Sequence, residues 1–123
     1  MSDCLFCKIV AGEIPSREVY EDESVYAFED ISPKAPTHVL VIPKKHIARL
    51  ADVEAGDEAL VGTLTARAAA IARDRGLSDF RLVANNGEGA GQSVFHLHFH
   101  LLGGRPMRWR VNRRALPRAY PQR

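Results

Sequence analysis

The chain has 123 residues and a mass of 13.6 kDa, with 46% hydrophobic and 26% charged residues, which fits one compact domain with its own core. No apolar run approaches the ~20 residues of a membrane span, and the N-terminal residues lack the pattern of a signal peptide, so we expect a cytoplasmic protein. Two cysteines in such a compartment argue against a disulfide framework.

The net charge of +2 conceals an uneven distribution of charged residues. Residues 105–123 carry seven of the 17 basic residues and no acidic one, whereas residues 1–104 carry ten basic and 15 acidic residues. We therefore divide the chain into a domain, 1–109, and a basic C-terminal tail, 110–123. Such a tail can meet phosphates, an acidic partner or the acidic body of its own oligomer. Nucleic acid is the less favoured partner, because prolines interrupt the arginines and few aromatic residues accompany them.

Hydrophobic periodicity and turn residues predict two helices and five strands. In chain order these are a short helix over 4–10, a hairpin of strands over 18–21 and 24–29, a strand over 38–42, a long helix over 55–75, and strands over 80–84 and 94–102. The order of strands, helix and strands favours an α+β fold, in which a mostly antiparallel five-stranded sheet carries the helices on one face.

The most informative segment places three histidines, His96, His98 and His100, at alternate positions between large apolar residues. On a strand, alternate side chains project from one face at intervals of about 6.6 to 7 Å, while the apolar residues between them enter the core. Imidazole titrates near neutrality, so such a row can supply a nucleophile, a general acid and a partner for an anion. A metal triad and a solvated polar strand face are the alternatives.

Residues 91–105, from Gly91-Gln92-Ser93 through the three histidines to Gly103-Gly104-Arg105, closely resemble the signature of the histidine-triad (HIT) proteins, Hint branch. Residues 28–47 are similar to the second long motif of that family, and residues 6–9 with 13–15 are similar to its first. These motifs cover most of residues 4–109 in the family's order.

The resemblance implies a five-stranded antiparallel α+β fold with one long and one short helix, whose sheet continues across a homodimer. It also implies hydrolysis of a purine nucleoside phosphoramidate or another nucleotide conjugate, with release of AMP or GMP through a covalent nucleotidyl-histidine. In that scheme His98 attacks phosphorus, and His100 lies near the phosphate oxygens and the leaving group as an imidazolium. His38 supports His100 from behind, and Ser93 contacts the phosphate or the leaving group.

The same resemblance implies a binding site for the nucleotide, and we expect no organic cofactor and no membrane partner. Asp30 corresponds to the acid that bonds the ribose hydroxyls, and Asn85, Gly91 and Gln92 correspond to polar contacts near the phosphate. Taken without the resemblance, these polar residues are equally typical of turns. The apolar slot for the base is formed in the family by residues matching Leu5, Phe6, Ile9, Phe28 and Ile31, which by themselves suit a core.

Cys4 and Cys7 form a C-x-x-C pair, which by itself fits a metal site, a redox pair or coincidence. The chain resembles bacterial HIT proteins in which this pair binds structural zinc together with two histidines, here His46 and His96. The resemblance thus implies a closed Cys₂His₂ site that withdraws His96 from the chemistry.

Two other functions stay open at the level of sequence. One is a nucleotide-binding regulatory module with incidental catalysis. The other is hydrolysis of dinucleoside polyphosphates, as in the Fhit branch. The Gln92-Ser93 pair and the Gly103-Gly104-Arg105 run look more like the Hint branch, and the residues matching the nucleophile and leaving-group positions favour an enzyme.

Overall fold

The computed structural model describes residues 3–109 and contains the five-stranded antiparallel sheet and the two helices that the sequence predicts. The strands follow the order β1-β2-β3-β5-β4 across the sheet, and every neighbouring pair is antiparallel. The elements are α1 (Leu5–Val10), β1 (Glu18–Glu21), β2 (Val25–Glu29), β3 (Thr37–Pro43), α2 (Glu58–Asp74), β4 (Phe80–Val83) and β5 (Phe99–Gly103).

The central strand, β3, is buried over its whole length because both of its faces are covered. Val39 and Val41 pack with Leu64 and Ile71 of α2 in the larger core cluster. Leu40 and Ile42 point the other way and pack with Phe6 and Ile9 of α1 in a second cluster. The two helices therefore lie on opposite faces, and the prediction that both occupy one face is wrong.

The short helix α1 depends on this packing. A six-residue helix is not stable alone, since few of its hydrogen bonds repay the cost of nucleation. Burying Phe6 and Ile9 against the sheet stabilises its attachment by roughly 1.5 to 3 kcal/mol for each side chain. The Sγ atom of Cys4 also accepts a hydrogen bond from the amide of Cys7 at the helix start.

Strand β5 begins at Phe99, five residues later than predicted. The pairing of Val41 with Phe99, continued by two residues, would place Leu97 opposite Pro43, which has no N–H to donate. The amide of Leu97 donates instead to the carbonyl of Ile47. The predicted alternation nevertheless holds, because Leu97, Phe99 and Leu101 all enter the larger core cluster.

The long helix follows its predicted position. Residues 55–57 form one 3₁₀ turn before α2, and the carboxylates of Glu54 and Asp57 cap the backbone amides there. Gly76, at φ +72°, follows the helix end in the left-handed conformation that glycine favours. No helix within residues 3–109 is long and apolar enough to cross a membrane.

Candidate active site

A row of three imidazoles lies on the sheet face that α1 covers. His38 on β3 and His100 on β5 have ring centroids 5.2 Å apart, and His98, just before β5, lies 5.0 Å from His100. His96 is turned toward His46 instead, with a centroid distance of 5.0 Å. The ring of Phe6 packs edge to face against the rings of His96 and His98, with centroid distances of 6.0 and 5.1 Å. The three histidines of the sequence motif are thus divided between two sites.

The hydrogen bonds assign the tautomer of His98. Its Nδ1 lies 2.7 Å from the carbonyl oxygen of His96, and because a carbonyl only accepts, Nδ1 carries the proton and donates it. Burial lowers the pKa of His98, so the ring is neutral near pH 7. The lone pair of His98 is therefore on Nε2.

The opposite tautomer is assigned to His38 and His100. The backbone amide of Lys34 donates to Nδ1 of His38 at 3.0 Å, so the proton of a neutral His38 is on Nε2. That Nε2 lies 2.9 Å from Nδ1 of His100, which accepts, and 3.4 Å from a carboxylate oxygen of Asp30. His100 accordingly carries its own proton on Nε2. At the Nε2 position, His98 therefore has a lone pair and the neighbouring His100 has an N–H.

Burial keeps His38 and His100 uncharged, because it lowers the pKa of both rings. Burial, with smaller contributions from the neighbouring His98 and His38, lowers the pKa of His100 to about 4. Burial also lowers the pKa of His38, against the opposing effect of Asp30. The half-buried His100 ring is therefore uncharged in the free protein at neutral pH, before any imidazolium could act in a reaction.

The glycine-rich loop before the histidines holds the predicted polar contacts. Ser93 is exposed, Asn85 is half-buried, and its amide nitrogen lies next to Gly91, whose φ of +96° turns the chain. Gln92 is buried and its groups bond to the backbone around it. Its backbone N–H donates to the carbonyl of Gly87, and its side-chain Oε1 accepts from the backbone N–H of Gly87 at 2.7 Å. Its side-chain Nε2 donates to the carbonyls of Ala48 and Val94. In this conformation Gln92 shapes the loop and leaves no donor for a substrate.

The residues predicted to form an apolar slot fall into two groups. Phe6 and Ile9 of α1 are buried with Phe28 of β2, and the rings of Phe6 and Phe28 pack edge to face with their centroids 5.3 Å apart. Leu5 is 43% exposed and Ile31 is 99% exposed, so neither is part of a core. Ile31 lines an open cleft of about 650 Å³ together with Asp30, Pro33, Pro36 and His38. The cleft brings an apolar side chain and a carboxylate next to the imidazole row.

The second site consists of Cys4, Cys7, His46 and His96, whose ligand atoms all lie within 4.8 Å of one another. The measured separations are 3.2 Å between the two Nδ1 atoms and 3.4 to 3.5 Å from sulfur to Nδ1. Zinc bonds of about 2.0 to 2.3 Å at tetrahedral angles separate ligand atoms by about 3.3 to 3.8 Å. The other nitrogen of His96 lies 2.7 Å from the carbonyl of Pro43, as a metal-binding histidine requires. The donor set therefore fits a zinc ion.

Sequence reasoning missed the backbone groups that orient the imidazoles. The Lys34 amide and the carbonyls of His96 and Pro43 each bond one ring nitrogen. Every residue type carries a backbone carbonyl and all but proline carry an N–H, so no residue pattern reveals them. The one local signal is the run from Pro33 to Pro36, which predicts a constrained turn before His38 but not where its amide points.

Comparison with known proteins agrees with this fold and identifies the family of the chain. The model of the HIT domain matches residues 11–107, and the chain belongs to the HIT domain family. A HIT-like protein of Synechocystis is 52% identical over 108 residues, which are 87% of this chain and 95% of that protein. The purine nucleoside phosphoramidase of Escherichia coli K12 is 47% identical over 107 residues, which are 85% of this chain and 90% of that enzyme.

The crystal structure of a HIT family hydrolase from Legionella pneumophila has the same fold. It superposes with a TM-score of 0.87 at 52% sequence identity, over 89% of this chain and all of that one. The agreement between the two folds extends the likeness from motifs to nearly the whole described domain.

Proposed function

We propose that the chain is a Hint-type hydrolase of purine nucleoside 5′-phosphoramidates or related nucleotide conjugates. The observation that carries the proposal is the pair of opposite tautomers, with a lone pair on Nε2 of His98 beside an N–H on Nε2 of His100. This arrangement combines a nucleophile with a proton donor. The name of the enzyme that is 47% identical and the Hint-like run of residues 91–105 support the same substrate class.

The first half of the reaction transfers the nucleotide to the enzyme. Nε2 of His98 attacks phosphorus, a nitrogen–phosphorus bond forms, and the bond from phosphorus to the leaving amine breaks. A bound phosphoryl anion raises the pKa of His100 from about 4. Protonation of its Nδ1 then replaces the hydrogen bond from Nε2 of His38, and the resulting imidazolium donates its Nε2 proton to the departing amine. The His98 ring, with Nδ1 held by the His96 carbonyl, carries the positive charge of the adduct.

The second half releases the nucleotide. Water attacks phosphorus, and the now neutral His100 accepts the proton that the water loses. The nitrogen–phosphorus bond to His98 breaks, and His98 leaves as the neutral imidazole from which it started. Both protons are thereby accounted for, and the products are the free amine and a nucleoside monophosphate.

We propose that Asp30 and the cleft next to it bind the nucleoside. A carboxylate accepts two hydrogen bonds from a sugar diol, and exposed Ile31 offers an apolar surface for a base at the same opening. Ser93 and Asn85, at the glycine-rich loop, are proposed contacts of the phosphate and the leaving group. The buried Phe6 and Phe28 support this site from beneath.

We propose that Cys4, Cys7, His46 and His96 hold a structural zinc ion, since their donor atoms have tetrahedral separations. All four positions are protein ligands, so the ion would stabilise the attachment of α1 and take no part in the reaction. We further propose a homodimer, because β4 is an edge strand of the sheet formed by residues 3–109 and an edge can pair with a second copy.

The proposed function is tested by measuring AMP release from an AMP-lysine phosphoramidate by the wild type and by His98→Ala. We expect turnover by the wild type, a loss of several orders of magnitude in the variant, and nucleotide binding by both. Diadenosine polyphosphate serves as the comparison substrate. Faster cleavage of that substrate would favour the polyphosphate hydrolase, and binding of AMP without turnover of either substrate would favour a regulatory module.

A further inference from the structure

A turn of residues 30–36, here called the proline turn, connects the cleft to the imidazole row and is held by contacts at several points. The amide of Ser32 donates to the carboxylate of Asp30 at 2.7 Å, and the ammonium group of Lys34 donates to the carbonyl of Ser32 at 3.0 Å. The third contact comes from the far end of the domain. A guanidinium nitrogen of Arg105 donates to the carbonyl of Lys34 at 2.7 Å.

The position of Lys34 decides the tautomer of His38. The Lys34 amide donates to Nδ1 of His38, so that ring must accept at Nδ1 and donate at Nε2 toward His100. The carbonyl that Arg105 binds belongs to the same residue as this amide. Only the two backbone dihedrals of Lys34 separate the two groups, so a contact that fixes the carbonyl also restricts the amide.

The packing of Gly104 against the turn brings Arg105 within reach. Gly104 has φ +97°, and a Cβ there would lie 2.8 Å from Cβ of Pro36. The absence of a side chain thus allows the end of β5 to pass directly beside the proline turn. Arg105 then reaches the Lys34 carbonyl with one nitrogen and the carbonyl of Pro106 with another, at 3.2 Å.

We infer that Arg105 is a positioning residue for the His38–His100 pair, acting through the backbone of Lys34. Its guanidinium keeps the Lys34 amide on Nδ1 of His38, and His38 in turn keeps the proton of His100 on Nε2. Arg105 lies on the exposed surface and its hydrogen bonds go to backbone carbonyls. The effect on turnover rests on the proposed function, whereas the effect on the tautomers does not.

The charged groups around His38 set the direction of the expected change. Asp30 and the neighbouring His100 lie next to the ring, while the negative charge of Glu29 favours protonation of His38 and the positive charge of Lys34 opposes it. An amide donating to Nδ1 opposes protonation at that atom, since the cation would direct an N–H at the amide. Loosening the turn should therefore raise the pKa of His38 and mix its two neutral tautomers.

The test compares Arg105→Ala with Arg105→Lys and with Arg108→Ala as the matched control. Arg108 is also an exposed arginine of the same segment, and its hydrogen bond uses only its backbone carbonyl, which accepts from Arg81. Nitrogen NMR of isotopically labelled histidine rings reports the tautomer and pKa of His38 and His100 in each full-length variant. Release of AMP from the phosphoramidate gives kcat and KM for the same proteins.

We expect a single Nε2–H tautomer of His38 in the wild type and in Arg108→Ala, mixed tautomers with a raised pKa in Arg105→Ala, and recovery in Arg105→Lys. For an amine leaving group, kcat of Arg105→Ala should fall roughly tenfold with little change in KM, since proton donation is weakened. A folded Arg105→Ala protein with the wild-type tautomer and pKa would overturn the inference. If neither the wild type nor any variant turns over the substrate while the tautomers change as described, the proposed function fails and the positioning role stands.

Discussion

At the level of single residues, backbone hydrogen bonds give chemically identical side chains different properties. His98 donates from Nδ1 to a carbonyl, whereas Nδ1 of His38 accepts from an amide. His96 directs Nδ1 at two cysteines and His46. Alternation in the sequence predicted which way these side chains project, because period two follows from strand geometry. It did not predict the tautomers, since those depend on backbone groups far away in the chain.

Replacing His100 tests the role of its Nε2–H. We expect His100→Ala to lose about 10² to 10⁴ in kcat on phosphoramidates of alkyl amines, which depart only when protonated. Conjugates whose leaving group departs without a proton should be affected far less. The measurement is kcat/KM over a series of leaving groups of graded basicity. Equal losses across the series would remove His100 from proton transfer.

The buried neutral imidazoles also predict acid sensitivity. The pKa of His100 is about 4 in the folded protein and near 6.5 in the unfolded chain, so the unfolded chain binds the proton first as the pH falls. The free energy of unfolding is thus highest above pH 6.5 and decreases toward pH 4, by up to about 1.4 kcal/mol per pH unit for each such group. Denaturant unfolding at several pH values should show a shallower decrease for His100→Asn. The same slope in both proteins would contradict the assigned pKa.

At the level of elements, the sequence predicts the strands and α2 well and their mutual arrangement less well. The alternating and β-branched runs of β2 and β3 and the apolar stripe of α2 are local signals. Which face α1 covers is not local, because both faces of β3 are apolar and either one could accept a helix. The late start of β5 likewise depends on Pro43, which lies far from it in sequence.

The attachment of α1 predicts the effect of removing one cysteine. If the proposed zinc ion is bound, we expect Cys4→Ala to lose it and to have a lower melting temperature, because three remaining ligands would hold the ion weakly. The rate at a temperature where the variant stays folded should change little, since His98 and His100 are outside the four-ligand cluster. Metal analysis, thermal unfolding and AMP release measure the three effects. A large rate loss in a folded, zinc-loaded variant would assign the site a direct part in catalysis.

At the level of the whole molecule, the chain combines a domain that is acidic overall with a basic end. The tail, 110–123, lies outside the described residues, and its five arginines are known from the sequence alone. The predicted homodimer likewise stays a prediction, supported by the open edge at β4. Neither composition nor the fold of residues 3–109 identifies the partner of the tail, because charge attracts many anions without regard to their shape.

Truncation after Trp109 tests the tail. We predict that removing residues 110–123 lowers kcat/KM for conjugates with acidic leaving groups relative to neutral ones, because the arginines no longer attract the anionic group. The difference should shrink at high salt. Light scattering of both proteins shows whether the oligomeric state changes with the truncation. An unchanged substrate preference would exclude this role of the tail.

The proposed covalent role of His98 is tested most directly by the stereochemistry at phosphorus. A phosphoramidate of adenosine made chiral by a single sulfur atom is hydrolysed in isotopically labelled water, and the configuration of the product is determined. Attack by His98 and then by water comprises two in-line displacements, each with inversion, so net retention is expected. Net inversion would mean that water attacks phosphorus directly and that His98 is not the nucleophile.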